Sequence, residues 1–100
     1  MQNLIIKDEL FYDDVVLEVY SSTCIPCKKQ LKILDALELS GRLPNVKFFK
    51  IESGSVLGVE LINQYNLYSA PSILCFRNGS VLQTFTKLTM PDEFVKVFNS

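Results

Sequence analysis

Residues 15–27 read VVLEVYSSTCIPC, and they predict a strand that runs directly into a helix. Most of Val15–Tyr20 is β-branched or aromatic, which favours a strand that is buried on both faces. The Ser-Ser-Thr at 21–23 supplies several possible helix N-caps. From about Cys24 to Ser40, apolar residues recur at helical spacing. Two cysteines therefore fall at the start of a helix that follows a buried strand.

Strands and helices alternate along the rest of the chain. We expect a strand at Leu4–Lys7, a turn that could hold one helical turn at Asp8–Asp14, strands at Val46–Ile51, Ser72–Arg77 and Val81–Thr86, a helix at Val56–Tyr65, and a terminal helix carrying Phe94, Val97 and Phe98. Asn78-Gly79 predicts a tight hairpin, and Thr89 with Asp92 predicts a capping box for the last helix. This order predicts an α/β fold with a central mixed sheet of four to five strands and helices on both faces.

Length and composition exclude several classes of protein. One hundred residues make a single domain, and 48% hydrophobic with 21% charged residues excludes disorder as the default. A net charge of −1 gives no electrostatic case for binding nucleic acid or an anionic membrane. No apolar run approaches the roughly 20 residues of a membrane span, and the start lacks the pattern of a signal peptide. We therefore expect a cytoplasmic monomer.

The content of histidine and cysteine narrows the chemistry further. The chain has no histidine, which excludes histidine-dependent nucleophilic sites and histidine-ligated metals. Its three cysteines are Cys24, Cys27 and Cys75, an odd number that does not suggest a disulfide-stapled scaffold. The pair at 24 and 27 could be half of a zinc site, a pair of small buried hydrophobes, or a redox pair. Because zinc needs four ligands and only one further cysteine exists, we expect no metal.

The position of the two cysteines assigns them different roles in redox chemistry. Residues three apart on a helix have Cβ atoms about 5–6 Å apart, so a small adjustment would allow a disulfide, which needs about 3.5–4.5 Å. Cys24 lies in the first turn, where free N–H groups favour a thiolate, the nucleophilic form. Cys27 continues the apolar stripe and should stay protonated, ready to resolve a mixed disulfide. Pro26 is tolerated so early in a helix. We expect no bound cofactor beyond a redox-active Cys24–Cys27 disulfide.

Four segments of the chain together resemble the thioredoxins and their small relatives. They are Val16–Tyr20, Cys24–Cys27, Tyr65–Ser72 and Phe76–Gly79. A CxPC motif followed by Ala-Pro-Ser, an apolar strand and Phe-Arg-Asn-Gly is far more specific than CxxC alone. The resemblance implies a thioredoxin-like fold and an enzyme that reduces disulfides in protein substrates.

The resemblance also assigns a substrate-binding surface around the cysteines. It implies that the Ala70–Pro71 bond is cis and faces the pair, and that the Ala70 backbone would pair with an extended substrate. Thr23, Ile25 and Pro26 would belong to the same surface. Without the resemblance, Pro71 would fit equally well as a rigid loop that starts an edge strand.

A single acidic residue, Glu18, interrupts the apolar strand six residues before the first cysteine. We expect it to be partly buried, with a raised pKa that favours the neutral form. Thioredoxins carry an aspartate at the matching position, which helps to deprotonate the buried cysteine, so Glu18 could do the same for Cys27. The alternative is a glutamate that reaches solvent beyond the end of the sheet. The family's lysine partner to this acid aligns closest to Phe48, between Lys47 and Lys50.

Departures from the thioredoxin pattern concern recognition more than chemistry. Thr23 replaces a usual tryptophan, Ile25 a usual glycine, and Thr86–Leu88 the groove glycine. The electron donor could be thioredoxin reductase or glutathione, the latter as in a glutaredoxin-like reductase. A non-catalytic adaptor with the same fold is the remaining alternative. We expect Cys75 to be a buried apolar thiol, and the alternative is a thiol that regulates the protein.

Overall fold

The fold is a five-stranded mixed sheet with three helices over residues 1–99, which are the residues that the computed structural model describes. In chain order the elements are β1 (Gln2–Asn3), a 3-10 turn (Lys7–Leu10), β2 (Asp14–Tyr20), α1 (Ile25–Ser40), β3 (Val46–Glu52), α2 (Val56–Tyr65), β4 (Ser72–Arg77), β5 (Ser80–Phe85) and α3 (Pro91–Phe98). The sheet order is β1-β3-β2-β4-β5. This architecture confirms the α/β class and the predicted alternation of elements.

Strand β2 lies at the centre of the sheet, parallel to β3 and antiparallel to β4. Its residues Val15–Val19 are all buried, because helices cover both faces, as the mostly apolar sequence of this strand predicts. Alternate residues of β2 feed two different layers. The α2 layer includes Val15, Leu17, Val19, Phe49, Leu61, Leu74 and Phe76. The α1/α3 layer includes Val16, Leu34, Leu37, Phe48, Ile73, Cys75, Phe94 and Phe98.

The hairpin between β4 and β5 forms at the predicted residues. Asn78 and Gly79 have φ angles of 50° and 85°, so both lie in the left-handed region that a type I′ turn requires. Just before the turn, the Arg77 guanidinium donates to both carboxylate oxygens of Asp14, at 2.9 and 3.1 Å, and to the carbonyl of Phe98. This one side chain therefore joins β4 to the start of β2 and to the end of α3.

Two local predictions are wrong, and each has a physical reason. The first strand is Gln2–Asn3 rather than Leu4–Lys7, because Ile5 and Ile6 point outward, 73% and 56% exposed, and the chain turns toward the buried Leu10. The capping box is also absent. Met90 is the N-cap of α3 without a side-chain hydrogen bond, and the preceding threonine instead donates its hydroxyl to the carbonyl of Lys87.

Two glycines that follow β3 offer a matched test of this packing. A Cβ at Gly58, in the first turn of α2, would overlap the backbone carbonyl oxygen of Glu52, whereas a Cβ at Gly54 would meet nothing within 4 Å. We expect Gly58→Ala to lower the free energy of unfolding by about 1–3 kcal/mol despite the better helix propensity of alanine. Gly54→Ala should change it by less than about 0.5 kcal/mol. Urea denaturation measures both values, and equal effects would contradict the close approach of α2 to β3.

Candidate active site

Cys24 is the N-cap of α1, one residue before the first turn in which the sequence placed it. Its backbone is extended, with φ −88° and ψ 112°, and its Sγ accepts a hydrogen bond of 3.1 Å from the backbone N–H of Cys27. The sulfur thus occupies the position that a serine or threonine oxygen takes in an ordinary N-cap. Pro26, in the first turn, lacks an N–H that would have no helical partner in any case. A negative charge on this sulfur is stabilised by the amide and by the positive end of the helix dipole.

The two active-site cysteines differ sharply in exposure. They are joined as a disulfide, with their Cα atoms 5.2 Å apart, within the ordinary range for such a bond. Cys24 is half-buried, whereas Cys27 is 0% exposed. Cys27 begins the buried face of α1, which continues through Gln30, Leu34 and Leu37. A reagent from solvent can therefore reach Cys24 but not Cys27.

Glu18 is fully buried and faces α1. It is 0% exposed, and neither carboxyl oxygen has a hydrogen-bond partner among residues 1–99. It lies beside Ile73 in the sheet register and two residues after Val16, and both of these belong to the α1/α3 layer. Glu18 therefore lies on the side of the sheet that α1 covers, and the alternative in which it reaches solvent is wrong.

Burial also controls the ionisation of Glu18. Loss of solvent, reinforced by the negative charge of Asp35 on α1, raises the pKa of Glu18 to about 8, while Lys50 acts in the opposite direction. The expected direction of this pKa shift is confirmed. A carboxyl group with a pKa near 8 is present in both protonation states close to neutral pH, as a group that accepts and returns a proton must be.

The lysine beside Glu18 is Lys50, a residue that the alignment by spacing missed. In the parallel register of β2 and β3, Lys50 is the partner of Glu18, and Phe48 is the partner of Val16. Lys50 is half-buried. Because side chains alternate along a strand, Phe48 and Lys50 both lie on the α1 face. The segment VKFFKI therefore shows that these two residues share a face, but the register is needed to place Lys50 beside Glu18.

An open groove of about 350 Å³ lies next to the disulfide and contains most of the predicted substrate-binding residues. It is lined by Ile25, Pro26, Lys29, Ala70, Pro71, Thr86, Lys87 and Leu88. The Ala70–Pro71 peptide bond is cis, Pro71 is buried, and Ala70 is exposed. Thr23 is not part of this lining; its hydroxyl lies 3.2 Å from that of Ser21. A larger hollow of about 510 Å³ includes Val46 and Lys47 at the opposite end of the sheet, away from both cysteines.

A buried glutamine that the sequence did not single out holds one wall of the groove. The Gln30 amide donates to the carbonyl of Thr89 at 2.9 Å and accepts from the N–H of the same residue at 2.7 Å. Both residues are buried. A buried polar side chain is kept only where its hydrogen bonds are satisfied, and this pair ties α1 to the segment that follows β5. The only sequence signal was a polar residue at an inward-facing helical position.

The comparisons with known proteins agree with this geometry. No protein-family model matches the chain. It is 25% identical over 100 residues to the thioredoxin of Chlamydia trachomatis, covering 95% of this chain and 94% of that protein. It is 30% identical over 88 residues to the M-type chloroplast thioredoxin of spinach, covering 82% of this chain and 46% of that longer protein.

Solved structures show the same fold. The oxidised thioredoxin of Plasmodium falciparum superposes with a TM-score of 0.81 at 16% identity, covering 100% of this chain and 99% of that one. The reduced desulfothioredoxin of Desulfovibrio vulgaris gives 0.81 at 20% identity, covering 99% and 95%. A thioredoxin fold with a Cys24–Cys27 pair at disulfide distance defines a dithiol thiol–disulfide oxidoreductase. The chain is similar to thioredoxins over nearly its whole length and shares their fold.

The buried carboxyl group makes stability depend on pH. The pKa of Glu18 is raised from 4.5 to about 8 in the folded protein, so the folded state binds this proton more tightly than the unfolded state. The stabilisation from the neutral acid is complete below about pH 4.5 and is lost as the pH rises through about 8. We expect the free energy of unfolding to fall over this interval, and Glu18→Gln to remove that fall.

Urea denaturation at a series of pH values measures this dependence. Glu52→Gln is the matched control, because Glu52 is exposed at the end of the adjacent strand. It should keep the wild-type pH profile. A Glu18→Gln protein whose stability still declines as steeply between pH 5 and 8 would show that Glu18 is not a buried neutral acid.

Proposed function

We propose that this protein reduces disulfide bonds in protein substrates, with Cys24 as the nucleophile and Cys27 as the resolving thiol. The observation that carries the proposal is the asymmetry of the pair. Cys24 is half-buried and caps a helix, whereas Cys27 is buried at 0% exposure. Only the first sulfur can meet a substrate, and only it receives the amide hydrogen bond that stabilises a thiolate.

The first step forms a mixed disulfide. The Cys24 thiolate attacks one sulfur of the substrate disulfide, a new S–S bond forms, and the other substrate sulfur leaves as a thiolate that takes a proton from solvent. An extended substrate segment would lie along the groove, with its backbone against Ala70 and its side chains against Ile25 and Pro26. These assignments rest on the position of these residues around the disulfide.

The second step releases the substrate. Cys27 gives its proton to the ionised form of Glu18, and the resulting thiolate attacks the sulfur of Cys24. The substrate's remaining sulfur leaves as a thiolate, so two electrons have passed from the dithiol to the substrate. The transfer from Cys27 is supported by the buried position of Glu18 on the α1 face and by its pKa of about 8. Lys50, beside Glu18, favours the ionised carboxylate that accepts the proton.

The turnover needs an external reductant but no bound cofactor. The Cys24–Cys27 disulfide is returned to the dithiol by thioredoxin reductase or by glutathione. Among residues 1–99 no three potential metal ligands converge, and no helix has the length and apolar character to cross a bilayer. We propose a cytoplasmic monomer that meets its protein substrates in solution.

Serine substitutions separate the two roles. Cys24→Ser should lower disulfide-reducing activity by more than about 1000-fold, because the attacking sulfur is gone. In the Cys27→Ser protein, Cys24 should attack the substrate once and then remain joined to it as a mixed disulfide, because the resolving thiol is gone. Reduction of insulin with dithiothreitol as electron donor measures the first effect, and mass spectrometry without reducing agent measures the second.

The control is Cys75→Ala, which should keep wild-type activity. Cys75 is buried in the α1/α3 layer, and burial raises the pKa of its thiol to about 12, so it stays protonated and unreactive. Full activity of the Cys24→Ser protein would contradict the proposal. Failure of the wild type to reduce insulin, combined with undiminished partner binding by Cys24→Ser, would favour the adaptor. Supplying thioredoxin reductase with NADPH, and then glutathione with its reductase, identifies the electron donor.

A further inference from the structure

The groove beside the disulfide carries positive charge and no negative charge. Of the eight residues that line it, two are charged, and both are lysines: Lys29 on α1 and Lys87 in the segment after β5. The two lysines come from different elements that meet at the groove. An uncompensated pair of cations at the edges of a cleft raises the local concentration of anionic groups.

Neither lysine is neutralised within residues 1–99. The cations that form ion pairs in this part of the chain are the N-terminal amine, Lys7, Arg42, Lys47, Arg77 and Lys96, and neither Lys29 nor Lys87 is among them. Both side chains belong to exposed residues. Their charges are therefore available to a molecule that enters the groove.

The groove is also apolar between these charges. Ile25 is 67% exposed and Leu88 is 43% exposed, and because both line the groove they leave apolar area there. Leu88 and Lys87 are held in place because the Thr89 backbone next to them is paired with Gln30. Ala70 lies just outside β4 and is exposed, so its backbone is accessible to an extended chain.

From this charge pattern we infer that the groove selects extended protein segments in which the reactive cysteine is flanked by an apolar residue and by acidic residues. The inference rests on the proposed function and names its substrate class. The apolar residue packs against Ile25 and Leu88, and the carboxylates meet Lys29 and Lys87. Exposed charge pairs are individually weak, so we expect the selection to be modest and sensitive to salt.

Single-turnover kinetics on matched peptides test the inference. Each peptide carries one cysteine beside a leucine, in a mixed disulfide with mercaptoethanol, and differs only in flanking aspartates or flanking lysines. The reduced protein is mixed with each peptide, quenched by alkylation, and the released peptide is quantified. We expect the acidic peptide to react about five- to tenfold faster than the basic one at low salt, with the ratio shrinking in high salt.

The double variant Lys29→Gln/Lys87→Gln should bring this ratio close to one. The matched control is Lys47→Gln, which changes an exposed lysine at the opposite end of the sheet and should keep the wild-type ratio. An unchanged ratio in the double variant, or an equal loss in Lys47→Gln, would overturn the inference. Glutathione disulfide is a third substrate. If it reacts faster than the acidic peptide, and this advantage is lost in the double variant, the groove binds a small acidic disulfide and not an acidic protein segment, and the inference is overturned.

These outcomes are distinct from failure of the proposed function. If the reduced protein cleaves none of the peptides faster than dithiothreitol does, the oxidoreductase proposal itself fails. If it cleaves acidic and basic peptides at the same rate, the oxidoreductase proposal stands and only the charge selection is contradicted.

Discussion

The site depends on one hydrogen bond, from the backbone N–H of Cys27 to the sulfur of Cys24. It exists because α1 begins at Ile25, which makes the first cysteine the cap of the helix and the second the third residue within it. The same geometry turns the second cysteine inward, onto the buried face of the helix. The position of the helix start therefore makes the sulfur of Cys24 accessible and stabilises it as an anion, and it leaves the sulfur of Cys27 buried.

The central strand supplies the other half of the site. β2 is buried on both faces, so a carboxyl group at Glu18 has no access to water and titrates near pH 8 rather than near 4.5. Burying the Glu18 carboxyl group costs folding free energy, because neither of its oxygens is hydrogen-bonded within residues 1–99. A cost of this kind is typical of a functional position rather than a structural one, and the proton transfer from Cys27 gives it a use.

Much of this structure could be predicted from the sequence, because its strongest patterns are local. The run VVLEVY, the turn Asn78-Gly79 and the helix Val56–Tyr65 fold as their residues indicate. The prediction failed where burial, not propensity, decides. Ile5 and Ile6 look like a strand, but the chain buries Leu4 and Leu10 instead. The sequence predicts Thr89 as the N-cap of α3, but its backbone N–H donates to the side chain of Gln30, and Met90 is the N-cap.

Features of the site that depend on contacts between distant segments were less accessible. The partnership of Glu18 with Lys50 needs the register of two strands, and spacing alone pointed to Phe48. The pairing of Gln30 with Thr89 joins residues 59 positions apart, which no periodicity encodes. The charged walls of the groove come from α1 and from the segment after β5, so Lys29 and Lys87 read separately as ordinary surface lysines.

The most direct test of this account is the pH dependence of alkylation of the reduced protein by iodoacetamide, with each cysteine quantified by peptide mapping. We predict that Cys24 reacts at a pH well below that required by a cysteine in an unfolded peptide, while Cys27 and Cys75 stay unmodified. Equal modification of Cys24 and Cys27 at every pH, with the profile of a free peptide, would contradict it.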